Sequence, residues 1–498
     1  MIEKEKRVFF DTTGLTETEG IRYRCNSKFI KKKLKEKIPD RVFKVISVKI
    51  NDSGKYKKIK DLPSYVEVVL KVITGKEYEE IIVWSPLAWN DRFFGTAGGG
   101  TGIGGRNYLT MNNTSRAMTV PMAVYNGFTS ATCDGRNVNK LNDRMLDKKT
   151  GELNTDYFEN WRVRSTHDMA IFGKAVAEIL HQRPVKFSYM HGSSGGGRQS
   201  FMEAQEFPED FDGIWASCPA LNWTKFLVCG LYFIAVMNTY KNRMSYDKLK
   251  FFMDKVHESV GGFDAFHDIA GKVDFDPYSL VGQKTPKGEK ITETDAKCIE
   301  KMWEDPAPDV KIYYPGVQHW NKYVPVGSFY YNILTKKPTP FILVTMYCRW
   351  VTGNPKQKFL NVTLDDYYRI LSESVEKFPT AGADNPDLTA FEKRGGKLMV
   401  DHGYADPLIP IEGTISYYNK VVNVFGSKEK VDSFFKLYLT PGDGHGSCDY
   451  FGPGLTEITG ETALINWVEN GIEPGTLPTV RVKEKTGETI EESTVSPY

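Results

Sequence analysis

One stretch limits the choice of folds more than any other. Strand-like residues, Val185-Lys-Phe-Ser-Tyr, give way to helix-like ones, Phe201-Met-Glu-Ala-Gln, through Gly192-Ser-Ser-Gly-Gly-Gly-Arg, a turn that only small residues could make. Gly192-Ser193-Ser194-Gly195-Gly196 fits the G-x-S-x-G elbow. There a serine is held in a strained backbone conformation at a helix N-terminus, with its hydroxyl lifted out of the sheet and amides nearby to receive negative charge. A phosphate-cradling loop would close with Gly-Lys-Ser/Thr; Gly197-Arg198-Gln199 stands here instead. Glycines at 192, 195, 196 and 197 do not fit the dinucleotide pattern either. A nucleophile elbow and a purely structural tight turn remain, and the rest of the chain must decide between them.

A second glycine run precedes the elbow. Trp89-Asn-Asp-Arg-Phe-Phe reads as a strand that enters seven glycines between Gly95 and Gly105, a loop whose amides can approach a ligand with no side chain in the way. In serine hydrolases of the α/β type, such a loop supplies one oxyanion donor and the residue after the nucleophile supplies the other. These roles fall to the Gly98-Gly99-Gly100 loop, centred on Gly99, and to Gly195.

The surrounding pattern fits a mostly parallel sheet covered by helices on both faces. Strands are expected at 42–50, 65–73, 80–84, 127–134, 185–189, 211–220, 395–401 and 434–439, two of the first three pairing as a hairpin. Helices are expected at 160–180, ended by Pro184, and near 412–424. From Asn222 to Asp387 the chain is aromatic-rich and irregular, read as an inserted lid domain whose aromatics mostly form its own core. The domains are thus 1–221 and 388–498 for the core and 222–387 for the lid, consistent with a chain of 498 residues.

An elbow serine needs a histidine to take its proton and an acid to orient that histidine, in chain order serine, acid, histidine. Of eight histidines, 167, 181, 191, 257 and 267 lie before the elbow, beside it or in the early insert, and His319 is still inside the insert. His402 immediately precedes the best acid, so the order would fail. His445, in Pro441-Gly-Asp-Gly-His after the last core strand, is left as the base. Asp406, on the loop after the penultimate strand, is favoured as the acid because a turn is needed to lift the carboxylate above the sheet; Asp401, at the strand end, is its competitor.

A net charge of +2 offers no field for nucleic acid or an anionic membrane. The longest apolar run, Phe226 to Met237, is too short to span a bilayer and reads as one buried helix. Seven cysteines without a C-x-x-C pair suggest neither a zinc site nor a complete disulfide framework. The first residues lack the apolar segment of a signal peptide, so a cytoplasmic location is expected.

Together, Trp89-Asn-Asp-Arg-Phe, Gly192-Ser-Ser-Gly-Gly-Gly-Arg-Gln, Pro219-Ala-Leu-Asn-Trp-Thr, His402-Gly-Tyr-Ala-Asp-Pro, Pro441-Gly-Asp-Gly-His and Trp467-Val-Glu-Asn-Gly resemble the tannase and feruloyl esterase family of α/β hydrolases. The resemblance brackets nearly the whole core and covers the insert only loosely. It implies an α/β-hydrolase fold with a lid, hydrolysis of small esters of phenolic acids such as gallates and hydroxycinnamates, and a triad of Ser194, Asp406 and His445. Other acyl chemistry on the same triad, and a non-catalytic ligand-binding fold, are the alternatives. Two departures stand out. The family usually bonds a cysteine before the nucleophile to one after the histidine; here Ser193 and Gly446 occupy those positions, which agrees with a reducing compartment and leaves packing to hold the two loops. The family's lid often binds calcium, but in Gly261-Gly-Phe-Asp-Ala-Phe-His-Asp only Asp264 and Asp268 survive, too few for a cation that takes six or more oxygens. No cofactor is therefore expected.

Overall fold

The structure is a computed structural model that describes residues 8–111, 118–136, 144–261, 274–304, 339–404, 406, 408–445, 452–483 and 488–498. Its centre is a sheet of nine described strands: β1 (Val42–Asn51), β2 (Tyr65–Thr74), β3 (Glu77–Pro86), β4 (Arg92–Thr96), β5 (Thr129–Cys133), β6 (Phe187–Ser193), β7 (Gly213–Ser217), β8 (Lys397–Gly403) and β9 (Phe435–Thr440). They lie side by side in the order β1-β2-β3-β5-β4-β6-β7-β8-β9. β1, β2, β3 and β5 pair antiparallel in succession, with β2 and β3 forming the expected hairpin, and every pairing from β5 to β9 is parallel.

Successive side chains on the parallel strands enter different cores, as a strand's two-residue repeat requires. Phe93, Met190, Ile214 and Val400 join the large cluster on one face, while Phe94, Tyr189, Trp215 and Met399 join the smaller cluster on the other. Because both faces are covered, these strands read as continuous apolar runs rather than alternating ones. On the larger side pack α1 (Ser27–Lys37), α2 (Ser165–His181), α3 (Gly195–Glu206) and, later in the chain, the helix Ile411–Phe425. In α1 only Ile30 and Leu34 are buried, so its lysines form the solvated face expected of that run. The helix Glu457–Asn470 covers the opposite face, where Gly460 fits against the ring of Trp215 with no room for a Cβ.

Three expectations need correction. The helix expected at 160–180 is continuous with a helical turn at Thr155–Glu159 and a π-helical stretch at Asn160–Arg164, so it begins earlier than its apolar periodicity suggests. The run 226–237 is not one helix but two, α4 (Trp223–Cys229) and α5 (Tyr232–Thr239), broken at Gly230, a residue that weakens a helix interior. The segment 222–387 is also more regular than its sequence suggests: its described parts include α6 (Tyr246–Ser259), α7 (Glu293–Met302), α8 (Ile342–Thr352) and α9 (Leu364–Lys377). Tyr232, Phe233, Tyr347 and Trp350 are buried there and continue the large core cluster. The tyrosines and tryptophan at 313, 314, 320 and 323 lie outside the described residues, as do Asp264 and Asp268.

Candidate active site

At the C-terminal end of β6 the backbone turns through Ser194, whose φ of 62° and ψ of −119° lie where an L-residue is strained. Three hydrogen bonds hold it there: its N–H donates to Ser217 O at 2.9 Å, and its carbonyl accepts from Arg198 N–H at 3.0 Å and Ala220 N–H at 3.1 Å. The flanking glycines are required by contact. A Cβ on Gly192 would stand 2.3 Å from Gly196 O, and one on Gly195 would stand 2.1 Å from Gly100 O. The first glycine loop is therefore laid directly on the N-terminus of α3. Gln199 fixes it from below, donating from Nε2 to Gly102 O at 3.0 Å and receiving Gly98 N–H at 3.4 Å. Gly99 and Gly195 are brought to the same edge as Ser194, and Gly195, as the first residue of α3, has an N–H with no intrahelical acceptor.

Arg198, from the same motif, is buried and runs the other way. Its guanidinium donates to Ala381 O at 3.2 Å and Trp161 O at 2.8 Å, with Trp161 and Trp223 against its faces. The nucleophile-elbow helix is thereby joined to the 222–387 segment, to which Trp223 and Ala381 belong. From that segment Leu343, on α8, closes over Gly100: a Cβ on this glycine would lie 3.4 Å from Leu343 Cδ1.

Of the two aspartates considered, Asp406 meets the histidine. His445 Nδ1 stands 2.8 Å from Asp406 Oδ2, while the other carboxylate oxygen accepts Leu408 N–H at 2.7 Å and Ile409 N–H at 3.0 Å. Asp401 instead accepts from Trp215 Nε1 at 2.7 Å and Ser217 Oγ at 2.5 Å inside the sheet. Burial alone would raise the pKa of Asp406, but the His445 charge and bonds from His402 and His445 override it and hold the carboxyl well below the usual range. Conversely, burial would lower that of His445, and the neighbouring Asp406 and Cys218 push it well above the ordinary imidazole value.

Sequence reasoning set His402 aside, yet the structure gives it a place. It is fully buried, with Nε2 3.1 Å from Asp406 Oδ2 and 3.2 Å from Ile409 O, and Nδ1 2.8 Å from Thr414 Oγ1. Because both neighbours of Nε2 are acceptors, that nitrogen carries the proton and Nδ1 accepts from the threonine. The spacing His402-x-x-x-Asp406 was the available signal. The other missed residue is Cys218, one position beyond β7, which carries a positive φ of 37° and lies 3.3 Å, sulfur to oxygen, from Ser193 Oγ. No sequence signal distinguished it from a buried apolar cysteine.

The His445 loop is seated by contact. A Cβ on Gly403, at the end of β8, would stand 2.1 Å from Asp443 O. Gly446 and Cys448 lie outside the described residues, and the six described cysteines are free. The remaining described histidines of the core serve structure. His181 is hydrogen-bonded by Thr18 and Ser85 and pushed down by burial to about 3; His191 stacks on Trp215 and bonds Glu461. His167, Glu203 and Asp210 bring three ligand-type atoms together on α2, α3 and the turn before β7. Lys174 also bonds Asp210, and burial raises Glu203 toward its neutral form, so this group is neutralised from within. A cavity of about 560 Å³ lined by Glu17, Trp89, Asp91 and Arg183 opens beside the start of β4, at the opposite end of the sheet from Ser194.

Comparison with known proteins places this geometry. The family model described as tannase and feruloyl esterase matches residues 68–268 and 333–498. A probable feruloyl esterase of Arthroderma benhamiae is 32% identical over 432 residues, covering 83% of this chain and 78% of that protein. Feruloyl esterase B of Aspergillus niger is 23% identical over 418 residues, covering 79% and 75%. Among solved structures, the tannin acyl hydrolase of Aspergillus niger superimposes with a TM-score of 0.74 at 20% identity over 97% of this chain and 93% of that one. Feruloyl esterase B of Aspergillus oryzae gives 0.73 at 21% over 96% of each. At such identities the structural likeness speaks for the α/β-hydrolase fold.

Proposed function

The chain belongs to the tannase and feruloyl esterase family, and from that premise we propose that it hydrolyses esters of phenolic acids, feruloyl or galloyl, through Ser194, Asp406 and His445. The observation that carries the assignment of roles is the 2.8 Å contact of His445 with a buried carboxylate, together with the strained elbow that holds Ser194.

In the proposed reaction His445 takes the Ser194 proton as Oγ bonds to the ester carbonyl carbon, and the carbonyl electron pair moves to oxygen. The N–H groups of Gly99 and Gly195 receive that oxyanion. Collapse breaks the bond to the alcohol, which leaves with the proton from His445. Water, deprotonated by the same imidazole, then releases the acid and restores Ser194. Asp406 holds the ring tautomer and stabilises the imidazolium. The 222–387 segment serves as the lid in this reading, supported by Leu343 lying against the glycine loop. A cytoplasmic location is supported by the free thiols of the six described cysteines.

The test combines a substrate panel with active-site labelling. Feruloyl, galloyl and p-nitrophenyl esters should be turned over, and a fluorophosphonate should label wild type but not Ser194→Ala. Binding of phenolic esters without turnover, or labelling that survives Ser194→Ala, would defeat the reading.

A further inference from the structure

We propose that Cys218 is a positioning residue of this esterase: with Asp406 it fixes the His445 imidazole between two strand ends. The inference rests on the roles assigned above to Ser194 and His445.

The sheet register brings these groups together. Ser193 on β6 is paired with Ser217 on β7, so the next residues, Ser194 and Cys218, leave the sheet side by side. The two segments are joined through Ser194 N–H to Ser217 O at 2.9 Å, and Cys218 N–H donates to Asp401 O on β8 at 2.7 Å. Both residues that leave the sheet here have positive φ, 62° for Ser194 and 37° for Cys218. The backbone therefore turns both side chains out at one level. The thiol is nearly buried, within 3.3 Å of Ser193 Oγ, and its sulfur, a ring nitrogen of His445 and a carboxylate oxygen of Asp406 all lie within 4.8 Å of one another.

Asp406 engages Nδ1, and the sulfur stands within 4.8 Å of a carboxylate oxygen of that aspartate as well as of the ring, so the two groups brace the imidazole together. A sulfur acceptor beside the imidazole favours the protonated ring, as does the Asp406 carboxylate. Among the described residues, the titratable groups facing the imidazole are Asp406 from the loop after β8 and Cys218 from the end of β7. His402 reaches the same Asp406 oxygen, and Asp443, on the histidine's own loop, turns its carboxylate back to Gly444 N–H. Of these, Cys218 is the one whose removal leaves the orientation of Asp406 intact.

The measurement is the rate of fluorophosphonate labelling at Ser194 as a function of pH, in wild type, Cys218→Gly and Cys218→Ser, with Cys25→Ala as a remote control. Glycine suits the positive φ, and serine keeps a weaker acceptor of similar size, so one of the two is available if the other folds poorly. The acid limb should move to lower pH by about one unit in Cys218→Gly, a tenfold loss of proton affinity, and by less in Cys218→Ser. It should stay in place in Cys25→Ala. Wild type that labels normally, with a limb unmoved in both Cys218 variants, would overturn the role of Cys218 while leaving the nucleophile standing. Absence of labelling in wild type at every pH would overturn the underlying assignment as well.

Discussion

His402 and His445 address the same oxygen of Asp406, at 3.1 Å and 2.8 Å, while the second oxygen is held by two backbone N–H groups. The carboxylate therefore has little freedom to rotate, and the imidazole it holds has little more. Asp406→Asn should reduce kcat on the order of 10⁴-fold with the fold retained, because the amide can present the wrong tautomer to the ring. His402→Ala should cost much less activity. It should lower stability by about 1–3 kcal/mol, the usual penalty for a buried polar partner left unmade, together with the volume lost. Steady-state kinetics alongside thermal unfolding separate the two; equal losses of kcat would contradict the division of labour.

The strain at Ser194 makes a prediction of opposite sign for stability and activity. Ser194→Gly removes the nucleophile and also the backbone penalty of the elbow, typically about 1–3 kcal/mol. The variant should be inactive towards esters and melt at a higher temperature than wild type, whereas Ser194→Ala should be inactive without that gain. A lower melting temperature for the glycine variant than for the alanine variant would show that the elbow is not under strain.

Gly195 tests the apposition of the two glycine segments. An alanine Cβ there would meet Gly100 O at 2.1 Å, so the loop carrying Gly99 must be displaced. Loss of one oxyanion donor typically costs about 3 kcal/mol of transition-state stabilisation, and kcat for Gly195→Ala should fall a hundredfold or more with little change in KM. A kcat within a few-fold of wild type would mean the loop does not serve the reaction.

The two perturbed groups predict pH behaviour with opposite signs. Asp406 is depressed when folded, so its contribution to stability is present above the ordinary carboxylate range and is lost as pH falls through its lower folded value. His445 is raised, so its contribution is complete below the ordinary imidazole value of 6.5 and disappears as pH rises through its higher folded value. For catalysis the sign reverses, because the base must be unprotonated. The acid limb of kcat/KM should therefore lie above 6.5, and the loss of stability at rising pH should be absent from the melting profile of His445→Ala. A wild-type limb at or below 6.5 would refute the raised value.

What could be read before the fold was known follows from the range of each interaction. The elbow, the glycine loop and the parallel strands announce themselves locally, since β4 and β6 to β9 are covered on both faces and are therefore largely apolar at their centres. The choice between Asp401 and Asp406 was also accessible, because a strand end and a loop put a carboxylate at different heights. His402 was not, since its role depends on a turn that folds residue 402 back over residue 406. Cys218 was less accessible still: its neighbour is 227 positions away at His445, and nothing near it in the chain indicates the meeting. The helices of 222–387 left a local trace, since in Leu364–Lys377 the buried Tyr367, Ile370, Leu371 and Ser374 recur at helical spacing among charged residues, but the aromatic clusters elsewhere in the segment drew the reading away from it.

Arg198 has one more consequence. Its charge sits among tryptophan rings and main-chain oxygens contributed by both the hydrolase core and the 222–387 segment, with no carboxylate among the hydrogen-bond partners that hold it. Parting the segment from the core at that point would cost the guanidinium its bond to Ala381 O and its contact with the Trp223 ring, so the two ends of the segment are tied to the helix that follows Ser194.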